Sequence, residues 1–391
     1  MLHAALSQRP DQGRLFLILD SSHEKYHNWL DFLIGTNGLK ILLQILIQDR
    51  ENNMIISASY KTDIPTFYGE WFMNRLRAGY CRMVNPYGGQ RYTISLKRED
   101  VDGFVFWTKN IGPFLKSLPE IRERGYPFIV QHTINGYPRQ LESRVTNSDH
   151  TVEHMHTLAS QYGPDVAIWR YDPIVFSSLT PPDWHLDNFT KLAKALAGAT
   201  SEVVISFAQI YRKTKRNMDA AAKECNFDWH DHETLMQEQG KAFAVELFHI
   251  AREYGITLKV CSQAAFLTPG MVEEARCVDA ERLSRVSGGT IQAEKKGNRK
   301  ECGCFASRDI GEYDTCPHGC VYCYAVQRRD LALQRFKDHD PQGEFLFPPK
   351  DVDLTEVESG QGENPLIQLS KGRKTAAPAV SQPTLFDGMS S

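Results

Sequence analysis

Between Met54 and about Pro348, short apolar runs alternate with segments of helical periodicity, and this alternation constrains the fold more than any other feature. The candidate strands are IISASY (55–60), FVFWTKN (104–110), PFIVQHTIN (127–135), VAIWRYDPIVF (166–176), EVVISFAQIY (202–211) and ITLKVCSQ (256–263). Between them FYGEWFMNRLRAG, IGPFLKSLPEIRERG, TVEHMHTLASQYG, LDNFTKLAKALAGA and HETLMQEQGKAFAVELFHIAREYG read as amphipathic helices. Strands that are almost continuously apolar are buried on both faces, so the pattern predicts an α/β chain with a parallel sheet covered by helices. A chain of 391 residues with 41% hydrophobic content can fill such a core.

The flanks differ in texture. Residues 1–53 carry apolar pieces such as GRLFLILD (13–20) without the strand and helix alternation, and read as an extension outside the core, with Met54 as an alternative start. The core is expected over 54–348, including a Cys-rich segment at 302–325. Residues 349–391 are polar and rich in Pro, Gly, Gln and Ser, a composition that predicts disorder. The apolar run LKILLQILIQD (39–49) is far shorter than the roughly 20 residues that span a bilayer, and it lies too far from the start to resemble a secretory signal. The reading is a cytoplasmic protein with no membrane partner. A net charge of −3 provides no global footprint for nucleic acid.

Polar residues cluster where the strands end: Ser59 with Asp63, Thr108 with Lys109, Gln131 with Thr133, Arg170 with Asp172, Ser206 with Gln209, and Cys261 with Gln263. In parallel α/β barrels these C-terminal strand ends build the site, so six polar ends predict one shared pocket. Other features read as ordinary structure. NPYGGQ (85–90) lacks the Lys and Ser/Thr of a phosphate loop and reads as a turn. WHDHE (229–233) reads as a polar helix start, YRKTKR (211–216) and KKGNRK (295–300) as solvated faces, and Cys81 and Cys225 as plain thiols.

Seven of the nine cysteines form two groups. CPHGCVYCYA (316–325) presents Cys316, Cys320 and Cys323 as C-x₃-C-x₂-C, which can hold three irons of a [4Fe–4S] cluster and leave the fourth open. A structural zinc knot drawing on Cys302, Cys304, Cys316, Cys320 and Cys323 is the alternative, although only Cys320 and Cys323 have the C-x₂-C spacing usual in zinc ribbons. The second group is Cys261, Cys277, Cys302 and Cys304. Four thiols suit a second, closed [4Fe–4S] cluster, a zinc site, or simple burial.

The loop CPHGCVYCYA resembles the cluster loop of the radical S-adenosylmethionine superfamily, and its CVYCYA form is similar to the spore photoproduct lyase and photolyase-like branch. SASYKTDIPTFYGE (57–70) and VFWTKN (105–110) look like the Thr-Asp and Thr-Lys units that follow the cluster loop in that branch. Here they precede it. Together with RYDPI and CGCFASRDIGEYDTCPHGCVYCYA, the chain resembles a bacterial family described as a domain of unknown function. The resemblance implies a circularly permuted radical SAM core, a partial (β/α)₆ TIM-like barrel in which ASRDIGEY (306–313) is the spatially first strand and YAVQRRDLALQRF its helix.

It further implies a [4Fe–4S] cluster on Cys316, Cys320 and Cys323, with S-adenosylmethionine chelating the open iron. Reductive cleavage of that molecule would generate a radical that abstracts hydrogen from substrate, with flavodoxin or ferredoxin as electron donor. Tyr322, Thr62 and Asp63 would contact the cofactor, and Lys109, Arg170 and Asp172 would be catalytic. The tail sequence QPTLF (382–386) resembles the peptide by which bacterial repair proteins dock on the sliding clamp, so Gln382, Leu385 and Phe386 suggest DNA as substrate. A non-catalytic zinc- or cluster-binding interaction module is the competing reading.

Overall fold

The computed structural model describes residues 54–85, 89–229, 233–297 and 301–349, together with the backbone of two short strands near the start. The tail from 350, with Gln382, Leu385 and Phe386, lies outside the described residues, as do LKILLQILIQD and parts of NPYGGQ, WHDHE and KKGNRK. The chain divides into two compact units, Met1–Asn53 and Met54–Ser391. In the first, β1 (Ala4–Gln8) and β2 (Leu15–Leu19) pair antiparallel, a hairpin where the sequence reading found only apolar pieces.

The second unit follows the alternation. In chain order it contains β3 (Met54–Ala58), α1 (Ile64–Phe67), α2 (Gly69–Ala78), β4 (Tyr80–Val84), β5 (Arg91–Ser95), β6 (Val101–Thr108), α3 (Leu118–Glu123), β7 (Phe128–Thr133), α4 (Ser148–Tyr162) and β8 (Ala167–Ile174). It continues with α5 (Pro182–Leu196), β9 (Glu202–Phe207), α6 (Arg212–Cys225), α7 (Glu233–Glu253), β10 (Thr257–Val260), β11 (Glu273–Glu274), α8 (Ala280–Ser287), β12 (Ser307–Asp309) and α9 (Arg329–Lys337). Eight strands form one sheet in the order β11-β10-β9-β8-β7-β6-β3-β12, and every pairing is parallel. Among the described residues no helix is long and apolar enough to cross a membrane.

Strand periodicity sorts the apolar side chains onto two faces. Ile56, Phe104, Phe106, Val130, Trp169 and Ile205 pack into the large core with Trp71 and Phe72 of α2 and Phe189 of α5. The alternate residues Ile55, Val105, Ile129, Ile168 and Val204 face a second cluster with Val278, Leu283 and Phe305. Each of these buried side chains contributes about 1.5–3 kcal/mol of transfer free energy, so both faces stabilise the sheet. Local signals set the helix ends. Asn147 caps α4 through Asp149 N–H at 3.0 Å, and Gly79 ends α2 at φ +80, where its N–H reaches Arg75 and Leu76 carbonyls.

The sheet is open. β11 and β12 are its two edges, so the expected TIM-like barrel is not closed, and the parallel strands number eight rather than six. The edges offer only short stretches for pairing: Lys259 and Val260 register with Glu273 and Glu274 at one side, and Ser307 to Asp309 with Ile55 to Ser57 at the other. The β4–β5 hairpin carries too little alternation to be read from sequence. NPYGGQ falls in its connection, closed by Asn85 N–H to Gln90 O at 2.9 Å and Gly89 N–H to Asn85 O at 2.8 Å.

Candidate functional site

The C-x₃-C-x₂-C loop leaves β12 and lies across the C-terminal ends of β3, β6 and β7, held by groups distant in sequence. Val321 N–H donates to Leu141 O at 3.1 Å and Arg144 N–H to His318 O at 3.0 Å, so the loop borders the segment after β7. Tyr68 Oη donates to Thr315 O at 2.6 Å and Tyr324 Oη to Tyr60 O at 2.6 Å. Gly319 has φ +75, and a Cβ there would stand 2.3 Å from Ser143 Oγ, so the loop needs glycine at this turn.

Asp63 is the main fastening. Its Oδ1 accepts Thr66 N–H at 2.9 Å and caps α1, while its Oδ2 accepts Lys109 N–H at 2.7 Å and meets His318 Nε2 at 2.7 Å. One carboxylate thus joins the end of β3, the end of β6 and the cysteine loop. Burial would raise its pKa, but the His318 hydrogen bond and the two backbone donors outweigh that and hold the carboxyl below its ordinary range. The geometry makes Asp63 an organiser of the loop. Thr62 differs: its Oγ1 is buried and has no hydrogen-bond partner among the described residues.

Lys109 extends toward the cysteines. Its Nζ lies 2.8 Å from Glu142 Oε1 and donates to Tyr322 Oη at 3.1 Å; Tyr322 Oη in turn donates to Glu142. Asn135 Nδ2 donates to Tyr322 Oη at 3.1 Å and to Glu142 Oε1 at 3.2 Å, closing a buried network. Burial alone would depress the Lys109 pKa; the charges of Glu142 and Cys320 reverse this and raise it, so the amine stays protonated. Burial, then Glu142 and Cys320, push the Tyr322 phenol far up. A cavity of about 190 Å³ opens beside this network, lined by Lys109, Asn135, Tyr137, Arg139 and Glu142 with Ser148 at the start of α4.

The three loop thiols lie on one short buried loop. Burial pushes all three above the ordinary thiol range, so they hold their protons until a metal displaces them. Cys320 and Cys323 sit among Tyr137, Leu141 and Val175, which shield that side from water.

The second group gathers around Arg170 on the other face. Arg170 Nη1 donates to Cys277 Sγ at 2.9 Å and to Gln131 Oε1 at 3.2 Å, and Nη2 pairs with Asp172. Gln131 Nε2 donates to Cys277 O at 2.8 Å. Cys261 Sγ is 3.5 Å from Cys277 Sγ, and Cys304 Sγ accepts the N–H groups of Cys277 and Val278 at 3.2 and 3.4 Å. Cys302, two residues before Cys304, packs against the same apolar cluster. Burial would lower the Arg170 pKa, but Asp172, Cys277 and Cys261 raise it, and its cation stays fixed. Among the described residues no group of three or more His, Cys, Asp and Glu side chains is already drawn into a single-ion shell.

A family model matches residues 55–325, which takes in both thiol groups and ends two residues past Cys323. The chain belongs to the family described as Domain of unknown function (DUF1848). No match was found among curated proteins.

The structure therefore brings Thr62, Asp63, Lys109 and Tyr322 together at the first thiol group, and places Arg170 with Asp172 at the second. Sequence reading missed Glu142, Asn135 and His318 as parts of the site. His318 lies inside the cysteine loop and Asn135 ends a candidate strand, so position could have flagged both; nothing in LESR marks Glu142.

Proposed function

We propose that this chain is a radical S-adenosylmethionine enzyme whose cluster loop is delivered late in the chain. The single observation that carries the reading is the joining of the C-x₃-C-x₂-C loop to two strand ends by Asp63, next to a cavity with a fixed cation at Lys109. A [4Fe–4S] cluster seats its thiolates on separate irons, and three thiols at C-x₃-C-x₂-C on one buried loop fit it. Cys316, Cys320 and Cys323 would hold the cluster.

S-adenosylmethionine brings a carboxylate, an amine, a ribose and an adenine. Lys109, the unpartnered Thr62 hydroxyl and the Tyr322 ring are suited to those groups. The bound cofactors supply one-electron chemistry that starts hydrogen abstraction from substrate. The protein's own part is to hold and to exclude. Asp63 and His318 fix the loop, Glu142 and Asn135 hold Lys109 and Tyr322 in place, and Tyr137 and Leu141 keep water from Cys320. In this reading the sheet is a permuted partial (β/α) barrel: β12 is its spatially first strand, and α9 the helix that follows the loop.

The test is anaerobic reconstitution followed by dithionite reduction. Cleavage of S-adenosylmethionine is expected, and it should vanish in the Cys316→Ala, Cys320→Ala, Cys323→Ala variant while circular dichroism stays native. Cleavage that survives in the variant refutes the reading; zinc alone with no absorbance at about 400 nm favours an interaction module. As substrate we propose damaged or modified DNA, on the likeness to the lesion lyase branch and on QPTLF in the tail. Binding of purified sliding clamp that Leu385→Ala, Phe386→Ala abolishes would support this, and equal binding would remove it.

A further inference from the structure

We propose that Cys261, Cys277, Cys302 and Cys304 form a closed site for one tetrahedral zinc ion, distinct from the iron site on the cysteine loop. Of the residues assigned to the radical chemistry the proposed site touches only Arg170 and its partner Asp172, and it stands or falls apart from that reading.

The argument begins with sulfur spacing. Zinc–sulfur bonds of about 2.3 Å in a tetrahedron put ligand sulfurs about 3.8 Å apart. Cys261 and Cys277 stand at 3.5 Å, Cys304 Sγ lies 3.2 Å from the Cys277 nitrogen, and Cys302 packs against the same cluster. Cys261 and Cys277 thus stand at single-ion spacing, with Cys304 beside Cys277 and Cys302 two residues from Cys304.

The surroundings are built to receive thiolates. The backbone N–H groups of Cys277 and Val278 both point at Cys304 Sγ, at 3.2 and 3.4 Å, and Arg170 Nη1 points at Cys277 Sγ at 2.9 Å. Donors aimed at sulfur favour the anion over the neutral thiol. Four thiolates on a dication leave a charge of about −2; Arg170 offsets part of it, and Asp172, which pairs with the same guanidinium, adds to it. Cys277 and Cys304 are buried with Ile168, Val204 and Phe305, and Cys261 and Cys302 pack against that cluster.

Chain geometry agrees with a structural role. The four cysteines come from the end of β10, the turn before α8, and the approach to β12. The segment between β10 and β12 covers one sheet face and pairs with the sheet as strand at just two residues of β11 and three of β12. Metal bonds from Cys277, Cys302 and Cys304 to Cys261 would tie this segment to the strand end, and completing the shell draws the four sulfurs round one point. A site with four protein ligands leaves no open position, so it holds structure and takes no substrate.

The test is metal content per full-length chain, measured after growth with both iron and zinc. The Cys316→Ser, Cys320→Ser, Cys323→Ser variant should keep about one zinc and lack iron, and adding Cys277→Ser, Cys304→Ser should remove the zinc. Cobalt(II) offered to the metal-stripped first variant should give the intense visible bands of a tetrahedral cobalt thiolate, displaced by zinc; this measurement holds even where the combined variant fails to fold. Iron with absorbance at about 400 nm in the first variant would overturn the proposal in favour of a second cluster. Neither zinc nor cobalt binding to it would overturn the site altogether.

Discussion

The two thiol groups belong to one unit yet are built in opposite ways. Cys316, Cys320 and Cys323 share one short loop, and everything that positions them is remote: Asp63, Tyr68, Leu141 and Ser143 all lie more than 170 residues away along the chain. Cys261, Cys277, Cys302 and Cys304 are scattered along their segment, but Cys261 and Cys277 meet sulfur to sulfur and the donors, Arg170 apart, are their own backbone neighbours. The first group faces the Lys109 and Glu142 network beside a cavity; the second is enclosed by apolar side chains. Close spacing in sequence therefore goes with remote fastening beside a polar cavity here, and wide spacing with an apolar enclosure.

Single substitutions should separate the groups most sharply. Cys320→Ala should remove all visible iron–sulfur absorption from reconstituted protein, while Cys277→Ala should leave it in full. Equal losses in the two variants would mean that the sets are one centre.

The next largest effect concerns the ion pair that borders the first group. Lys109→Met leaves Glu142 buried without its cation and should cost about 3–5 kcal/mol in urea unfolding. Adding Glu142→Gln should return part of that loss, because the uncompensated charge is gone. A cost in the single variant below about 1 kcal/mol would show the pair to be solvated.

Two capping aspartates offer a finer contrast. Asp63 caps α1 and also anchors His318 and the Lys109 N–H, whereas Asp279, beside Cys277, bonds only the Glu281 and Arg282 N–H groups of α8, at 3.0 and 3.1 Å. Asp63→Ala should cost about 3 kcal/mol and Asp279→Ala about 1 kcal/mol. Iron should leave the Asp63 variant faster than wild type, and the Asp279 variant at the wild-type rate.

Glu312, on the approach to the first group, sets a smaller effect with a pH signature. Burial raises its pKa from 4.5 to about 7, opposed by Arg335 and Lys61, and its Oε1 has no hydrogen-bond partner among the described residues. Its folded pKa lies above the unfolded one, so its contribution is fully present below pH 4.5 and is lost as pH rises through about 7. Discounted for partial exposure, the loss is about 2 kcal/mol, and Glu312→Gln should flatten that part of the stability curve. An unchanged slope in the variant would place the titration elsewhere. The smallest effect is expected at the other end: a chain beginning at Met54 should keep its iron content and its unfolding midpoint, since the two units are separately compact.

The fold was legible where burial on both faces leaves long apolar runs. FVFWTKN and EVVISFAQIY announce β6 and β9 because each strand must satisfy two cores at once. β12 carries no such signal. It is three residues long, polar in sequence and recognisable only from the loop that follows it. The loop itself was legible from spacing, because metal ligands on one turn must recur at short intervals. Its fastening was not, since the Asp63 to His318 contact joins residues 255 apart and leaves no local pattern. The hairpin of β4 and β5 was missed for a related reason. Its strands expose Arg82, Arg91, Tyr92 and Thr93 and stand outside the main sheet, so two-fold alternation is weak.

The place of β12 beside β3 has a consequence for the order of biosynthesis. The ribosome releases β3 before any other strand of the sheet and β12 after all of them. One flank of β3 gains β6 early; the other waits for Ser307, Arg308 and Asp309. Until these emerge, that flank is an unpaired edge, the kind of surface that recruits foreign strands. The nascent chain is therefore most vulnerable to mispairing until just before Cys316, Cys320 and Cys323 are translated, and any product that stops short of Ser307 carries an uncovered sheet edge and lacks the cysteine loop.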